Sequence, residues 1–274
     1  MKQLYCLPGI LFLALLPFLI TEAKAQDVFS PESSLPLSCH FFTVDPLGNL
    51  YCATHEGMTK YEAQGQQQWH YSNPGYGHIH SIDASDPLNI LVYHADFQQV
   101  VRLDRSLAEK PLPDAAPVLS GELPTLVCNS AQGGFWVFMP QSRLLQRYSP
   151  SLRLEAQSLP FHEILPGFHS PVFMTEANRN VYISQPNHGI AVFDSFGNLL
   201  FHIDRKDVER FQVKGNLLFW FSKKELVVFD FVLREERLFL LPETGIRSGM
   251  LIDRKAFIQT NHEIKVYQAA EVLF

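Results

Sequence analysis

After residue 25 the chain has no apolar stretch near the ~20 residues that a membrane span needs, and Leu4 to Ile20 is its one long hydrophobic run. Charge is also sparse: 18% of residues are charged, the net charge is −6 at pH 7, and no basic run occurs. Phosphate binding needs a concentrated positive field, so nucleic acid is excluded as an expected partner, and nothing suggests docking to anionic lipid. Cysteine is limited to Cys6, Cys39, Cys52 and Cys128, with no CxxC and no zinc-type spacing. Ser-His-Asp order, a nucleophile elbow, a P-loop and a dinucleotide fingerprint are all missing. An enzymatic role therefore has no motif to rest on.

The N-terminus differs from the rest. Met1-Lys2-Gln3 precedes the apolar run, and Ala23-Lys24-Ala25 then places small residues two apart before Gln26. This is the layout of a secretory signal peptide spanning 1–25, cleaved after Ala25. An uncleaved membrane anchor is the alternative, but the run has 17 residues and is broken by Pro8, Gly9 and Pro17. The expected mature chain, 26–274, has no transmembrane segment and is exported, periplasmic or secreted. Removal of Lys2, Glu22 and Lys24 leaves 20 basic and 27 acidic residues. In an oxidising compartment a disulfide is permitted, yet three cysteines leave at least one thiol over. Cys39 and Cys52 flank the turn Asp45 to Asn49. Opposed residues there should sum to 95 or 96, which sets Cys52 against Thr43 or Val44. The expectation is buried, reduced cysteines that pack as small hydrophobes.

What the chain does have is a repeat. Hydrophobic runs end on Tyr61, Leu103, Tyr148, Phe193, Phe229 and Tyr267, at spacings of 42, 45, 45, 36 and 38 residues. Short β-branched and aromatic runs, with turn residues every 8–12 positions, favour strands over helix. A period near 40 made of such strands is what a propeller blade requires. The expected fold is all-β, a single six-bladed propeller of mostly four-stranded blades at about 38–71, 78–112, 124–157, 169–203, 208–240 and 247–274. For closure, Val272-Leu273-Phe274 is expected as the outer strand of blade six, with the segment around Asp27-Val28-Phe29 beside it. The alternative is that this N-terminal segment itself completes the blade.

Val44-Asp45-Pro46-Leu47-Gly48-Asn49-Leu50-Tyr51 in blade one and Val192-Phe193-Asp194-Ser195-Phe196-Gly197-Asn198 in blade four resemble NHL-type repeats of six-bladed propellers. The resemblance covers about 38–274 and extends to the TolB-like, exported bacterial members of that superfamily. It implies a toroid around a central channel with loops on two faces. The lactonase-like relatives open on Glu-Gly-Pro and an aromatic, which this chain lacks. His55-Glu56-Gly57 is no substitute, because it sits in the turn between strands two and three.

One group of residues remains as a candidate site. His40, His78, His80 and His169 lie shortly before or at the start of predicted inner strands, where those strands reach the channel mouth. Imidazole is the common neutral ligand for zinc, copper or iron. These four are the expected ligand-binding residues and, if a divalent metal is held, its ligands; Tyr76, in Gly75-Tyr76-Gly77, joins them. No cofactor is expected otherwise. Tyr76 and Phe168 are read as partner-surface aromatics, and Trp69, Trp136 and Trp220 as core or inter-blade wedges. The functional expectation is a non-catalytic protein-interaction or scaffold module with an envelope or secreted protein partner. The alternatives are a metal-dependent hydrolase or lyase in the channel, and small-ligand or glycan binding without chemistry.

Overall fold

The computed structural model describes residues 28–111 and 121–273. The 1–25 leader lies outside the described residues, as does Phe274. Six four-stranded antiparallel sheets form the blades. β1 (Phe29–Leu35) precedes blade one, which is β2 (Phe41–Val44), β3 (Leu50–Thr54), β4 (Gly57–Tyr61) and β5 (Gln67–Tyr71). Blade two is β6 (Ile79–Asp83), β7 (Ile90–His94), β8 (Gln99–Leu103) and β9 (Glu109–Lys110). Blade three is β10 (Leu126–Asn129), β11 (Phe135–Met139), β12 (Leu144–Tyr148) and β13 (Leu154–Gln157), followed by a short helix α1 (Phe161–Ile164). Blade four is β14 (Phe173–Ala177), β15 (Asn180–Gln185), β16 (Gly189–Phe193) and β17 (Leu199–Ile203). Blade five is β18 (Gln212–Lys214), β19 (Leu217–Phe221), β20 (Glu225–Asp230) and β21 (Glu235–Leu240). Blade six contributes β22 (Ser248–Ile252), β23 (Lys255–Gln259) and β24 (Ile264–Ala269).

All six repeat anchors fall on third strands. Each faces an apolar residue of strand two, as in Leu50 opposite Tyr61, Ile90 opposite Leu103 and Val181 opposite Phe193. The second strands carry the core, and their period of two explains why they read as unbroken apolar runs. On β11, Phe135 and Val137 pack toward blade two, while Trp136 and Phe138 pack toward blade four. On β7, Ile90 and Val92 pack toward blade one, and Leu91 and Tyr93 toward blade three. The core is thus six layers between blades rather than one centre. Each fully buried side chain of this size contributes roughly 1.5–3 kcal/mol.

The turns follow from the sequence. Asp45 Oδ1 accepts from the backbone N–H of Leu47 and Asn49, both at 2.9 Å, and Asn49 Nδ2 donates to Oδ2 at 2.8 Å. Asp194 repeats the set with Phe196 and Asn198. Gly48 and Gly197, at φ 84° and 89°, supply the left-handed step that such a turn demands.

Two expectations are corrected. Blade six is closed by β1, which pairs along β24 from Phe29 opposite Ala269 to Leu35 opposite Ile264. With that edge taken, Glu271–Leu273 forms a 3-10 turn instead of an outer strand, and Leu273 is buried between blades five and six. A bulge between Pro31 and Ser33 accommodates the proline. The cysteines are not reduced thiols either: Cys39 and Cys52 form a disulfide, Cα atoms 5.4 Å apart, and Cys128 alone is a free, buried thiol among the described residues. The β2–β3 register sums to 94, so Cys52 faces Phe42. His40 N–H still bonds Ala53 O at 2.8 Å, and Cys39, just before it, reaches Cys52.

Candidate functional site

In an antiparallel blade, the start of strand one and the turn between strands two and three come to the same end. That geometry brings His40, just before β2, against His55 in the β3–β4 turn, with ring centroids 3.8 Å apart and nearly perpendicular. His78, at the lead-in to β6, extends the row at 5.7 Å from His55. Partial desolvation first, then the charges of His55, Arg247 and His78, lower the His40 pKa. Asp96 fixes His78: its Oδ2 accepts the His78 backbone N–H at 2.9 Å and lies 3.0 Å from Nδ1. That backbone bond is the main cause holding the Asp96 carboxyl below its usual range.

Behind this row a cleft of about 250 Å³ is lined by His55, Glu56, Asn73, His78 and His94, among others. His94 is buried, with Nδ1 3.0 Å from Gly77 O and Nε2 3.2 Å from the Tyr71 hydroxyl. A carbonyl only accepts, so Nδ1 carries the proton and Nε2 accepts from Tyr71. Burial lowers its pKa and keeps it neutral. Tyr76 is the last residue of a 3-10 turn, Pro74–Tyr76, capped by Asn73, and its half-buried ring packs 5.6 Å from His94.

His80 is set apart from this row by a β-bulge. The β6–β7 register runs Ile79 opposite His94, then Ser81 opposite Tyr93, leaving His80 as the extra residue. A bulge re-aims its side chain, and the exposed His80 ring lies 5.9 Å from that of Tyr93. Burial pushes the Tyr93 phenol up to about 12, and its hydroxyl donates to Pro124 O at 2.7 Å. The His80 pKa is lowered by desolvation and by Arg210, with Asp96 acting in the opposite sense. Arg210 precedes the inner strand of blade five, so its field reaches His80 across the ring from blade two. Both side chains are exposed.

His169 belongs to a separate group in blade four. Its Nδ1 lies 2.6 Å from Gly167 O, its backbone N–H donates to Gln185 Oε1 at 2.7 Å, and its ring is 6.2 Å from His188. None of its contacts reaches the His40–His55–His78 row. Among the described residues, no three His, Cys, Asp or Glu side chains are arranged to hold a metal ion. Phe168 is buried between Phe161 and His188, so it is no surface aromatic. Trp136 and Trp220 are buried, but Trp69 is 49% exposed on the outer strand of blade one and wedges nothing.

Sequence reading missed His55, Arg210 and Arg247. The signal for His55 was present, since an antiparallel blade returns the turn between strands two and three to the end where strand one starts. It also missed the outer rim of blades four and five. There a cleft of about 720 Å³ is bordered by Tyr182, Phe201, His202, Phe231, Val232 and Arg234, among others. Phe201 and Val232 border it, and seven of the sixteen large exposed hydrophobics among the described residues, namely Phe196, Leu200, Phe201, Val232, Leu233, Leu238 and Leu240, lie on the outer strands and adjoining turns of blades four and five. Leu238 pairs with Val227, which packs toward blade four, so Leu238 and Leu240 lie on that side of blade five.

No protein-family model matches the chain, and no curated protein does. Solved structures do. A streptogramin B lyase is 13% identical, covering 84% of this chain and 78% of its own, at a TM-score of 0.53. The virginiamycin B lyase from Staphylococcus aureus is 12% identical over 84% and 80%, also at 0.53. The extracellular domain BT4673 from B. thetaiotaomicron is 13% identical over 89% of this chain and 34% of the other, at 0.56. At these identities the likeness shows the propeller fold alone.

Proposed function

We propose that this six-bladed propeller is an exported, non-catalytic binding module that docks an envelope or secreted protein through the outer rim of blades four and five. The observation that carries the reading is the concentration of exposed apolar side chains on the outer strands and turns of blades four and five, two of which, Phe201 and Val232, border the cleft. Large apolar patches around a cavity mark interaction sites, whereas singly scattered hydrophobics do not. The adjoining β21 also presents an outer edge of unpaired backbone groups. Export is supported by the leader-like segment 1–25 and by the Cys39–Cys52 disulfide, a bond at home in an oxidising compartment. No helix of the described residues is long and apolar enough to cross a membrane. One solved structure with this fold is an extracellular domain.

The test is affinity capture from envelope extracts with the wild-type chain, L238K/L240K and R210Q in parallel. A partner retained by wild type and R210Q but lost from L238K/L240K supports the reading. Equal retention by all three overturns the rim as the contact surface. The alternative, a metal-dependent hydrolase or lyase in the channel, draws on the histidines of the mouth and on the fold shared with two lyases. Stoichiometric divalent metal in the purified protein, lost from H78A/H80A, would favour it.

A further inference from the structure

We propose that the cleft between blades four and five seats a cationic side chain, lysine or arginine, of the protein that docks at the rim, a reading that rests on rim docking and adds what the partner must present. In blades one, two and three the residue just before the third-strand anchor is basic: Lys60, Arg102 and Arg147. Each enters the gap to the following blade. Lys60 Nζ donates to Arg105 O of blade two at 2.8 Å, and Arg102 Nη2 donates to Gly134 O of blade three at 3.0 Å. Arg147 lies 5.8 Å from the ring of Trp136, which packs toward blade four. In blade four the same position is Val192, packed toward blade five.

The rows of blades one and four otherwise match. Across strands two to four, blade one reads Tyr51, Lys60, Trp69, and blade four reads Tyr182, Val192, Phe201. Lys60 Nζ sits 5.6 Å from the Tyr51 ring centroid. Val192 is too short to reach as far, and the cleft of about 720 Å³ is bordered by Tyr182, Phe201, Asp204, Phe229, Phe231 and Arg234, among others. The Phe231 ring lies 6.4 Å from Tyr182 and 5.8 Å from Phe201, so rings of two blades wall one space. Aromatic faces attract an ammonium or guanidinium. Phe231 stands two residues past its anchor Phe229, as Arg105 stands two past Leu103. Both turns open on an aspartate whose Oδ1 accepts an N–H two residues on, Ser106 at 2.8 Å and Val232 at 2.9 Å. The carbonyl that Lys60 uses therefore has its counterpart in Phe231 O. Blade five already takes one cation on this side: Arg205 stacks on Trp220 at 4.8 Å and Phe229 at 5.1 Å, its charge matched by Asp207 and Glu236. Arg234, exposed at the border, opposes a cationic guest.

The experiment follows the Tyr182 and Phe201 ring signals by NMR while the full chain is titrated with Nα-acetyl-lysine methylamide, its arginine counterpart or its uncharged norleucine counterpart, at constant ionic strength in sodium chloride. The expected result is a saturable shift with lysine or arginine and none with norleucine. Affinity should fall roughly two- to thirtyfold in F201A, the span of one cation–π contact, and rise in R234Q. V192K rebuilds the blade-one row and should abolish the response by supplying its own ammonium; if it fails to fold, F201A, which alters a partly exposed ring, carries the test. An equal response to norleucine, no saturable response, unchanged affinity in folded F201A, or weaker binding in R234Q overturns the proposal. Affinity capture reads docking separately. A partner lost from L238K/L240K, with no lysine-amide binding by wild type, sinks the cation seat and leaves rim docking standing. Lysine-amide binding with no rim-dependent capture supports the seat and sinks the docking.

Discussion

Blades one and four each bring two histidines to the channel mouth from matching places in the repeat, yet the two pairs are held differently. His40 and His169 lead into inner strands, and His55 and His188 sit in turns between strands two and three. In blade one the rings meet at 3.8 Å and His78 extends the row into a cleft. In blade four they stand 6.2 Å apart, and Gln185 ties the loop down. The buried Gln185 accepts the backbone N–H of His169 and Ser170, and its Nε2 lies 3.0 Å from Gly167 O and 2.8 Å from His188 Nδ1. Phe168 pins the same loop into the core between blades three and four. The repeat places imidazoles at the mouth, and the packing of the lead-in loop decides whether they border a cleft or are tied into the fold.

The strongest way to break the contrast is Phe168→Ala. Removing this buried ring should cost about 3–5 kcal/mol and free the blade-four histidines, leaving those of blade one unmoved. Chemical denaturation with imidazole NMR checks both halves. Next comes C39S/C52S. Its bond spans 13 residues, so its loss should cost about 3 kcal/mol and broaden His40 and His55 without touching His169 or His188. Gln185→Leu should cost about 1–3 kcal/mol, because it removes the buried acceptor that the His169 and Ser170 N–H groups share.

A pH series sharpens the contrast at lower cost to the fold. His94, behind the blade-one row, is kept neutral by burial. Its unfolded pKa is near ~6.5 and its folded value lies below that, so below that pH the unfolded state binds more protons. Stability should therefore fall as pH drops from about 6.5 toward the folded pKa, and His94→Gln should flatten the curve in that window. The smallest effect is expected at the rim. Leu238→Lys should change stability by less than about 0.5 kcal/mol, since the side chain is exposed, while removing the partner contact.

Much of the fold was legible because each blade repeats the same pattern of turn, apolar run and anchor. Asp45 and Asp194 announce their turns, and Tyr61 to Tyr267 mark the third strands. The closing strand was legible only as the alternative to a C-terminal one. Phe29–Leu35 reads FSPESSL, mostly exposed, and its pairing with Ile264–Ala269 is a contact between chain ends that local propensity does not encode. The disulfide was missed through a register error of one to two positions in the sum, which put Cys52 against the wrong residues. His80 was visible as a histidine, but its bulge was not. The rim leucines looked like ordinary strand residues, because sequence alternation does not say which outer strand lacks a cover.

The central claim, docking through the rim of blades four and five, is tested most directly by site-specific photo-crosslinking in intact cells. A probe at Leu238, 54% exposed, is compared with one at Leu154, 50% exposed on the outer strand of blade three. The account predicts a discrete protein adduct from Leu238 and none from Leu154. No adduct from Leu238, or the same adducts from both positions, would contradict it.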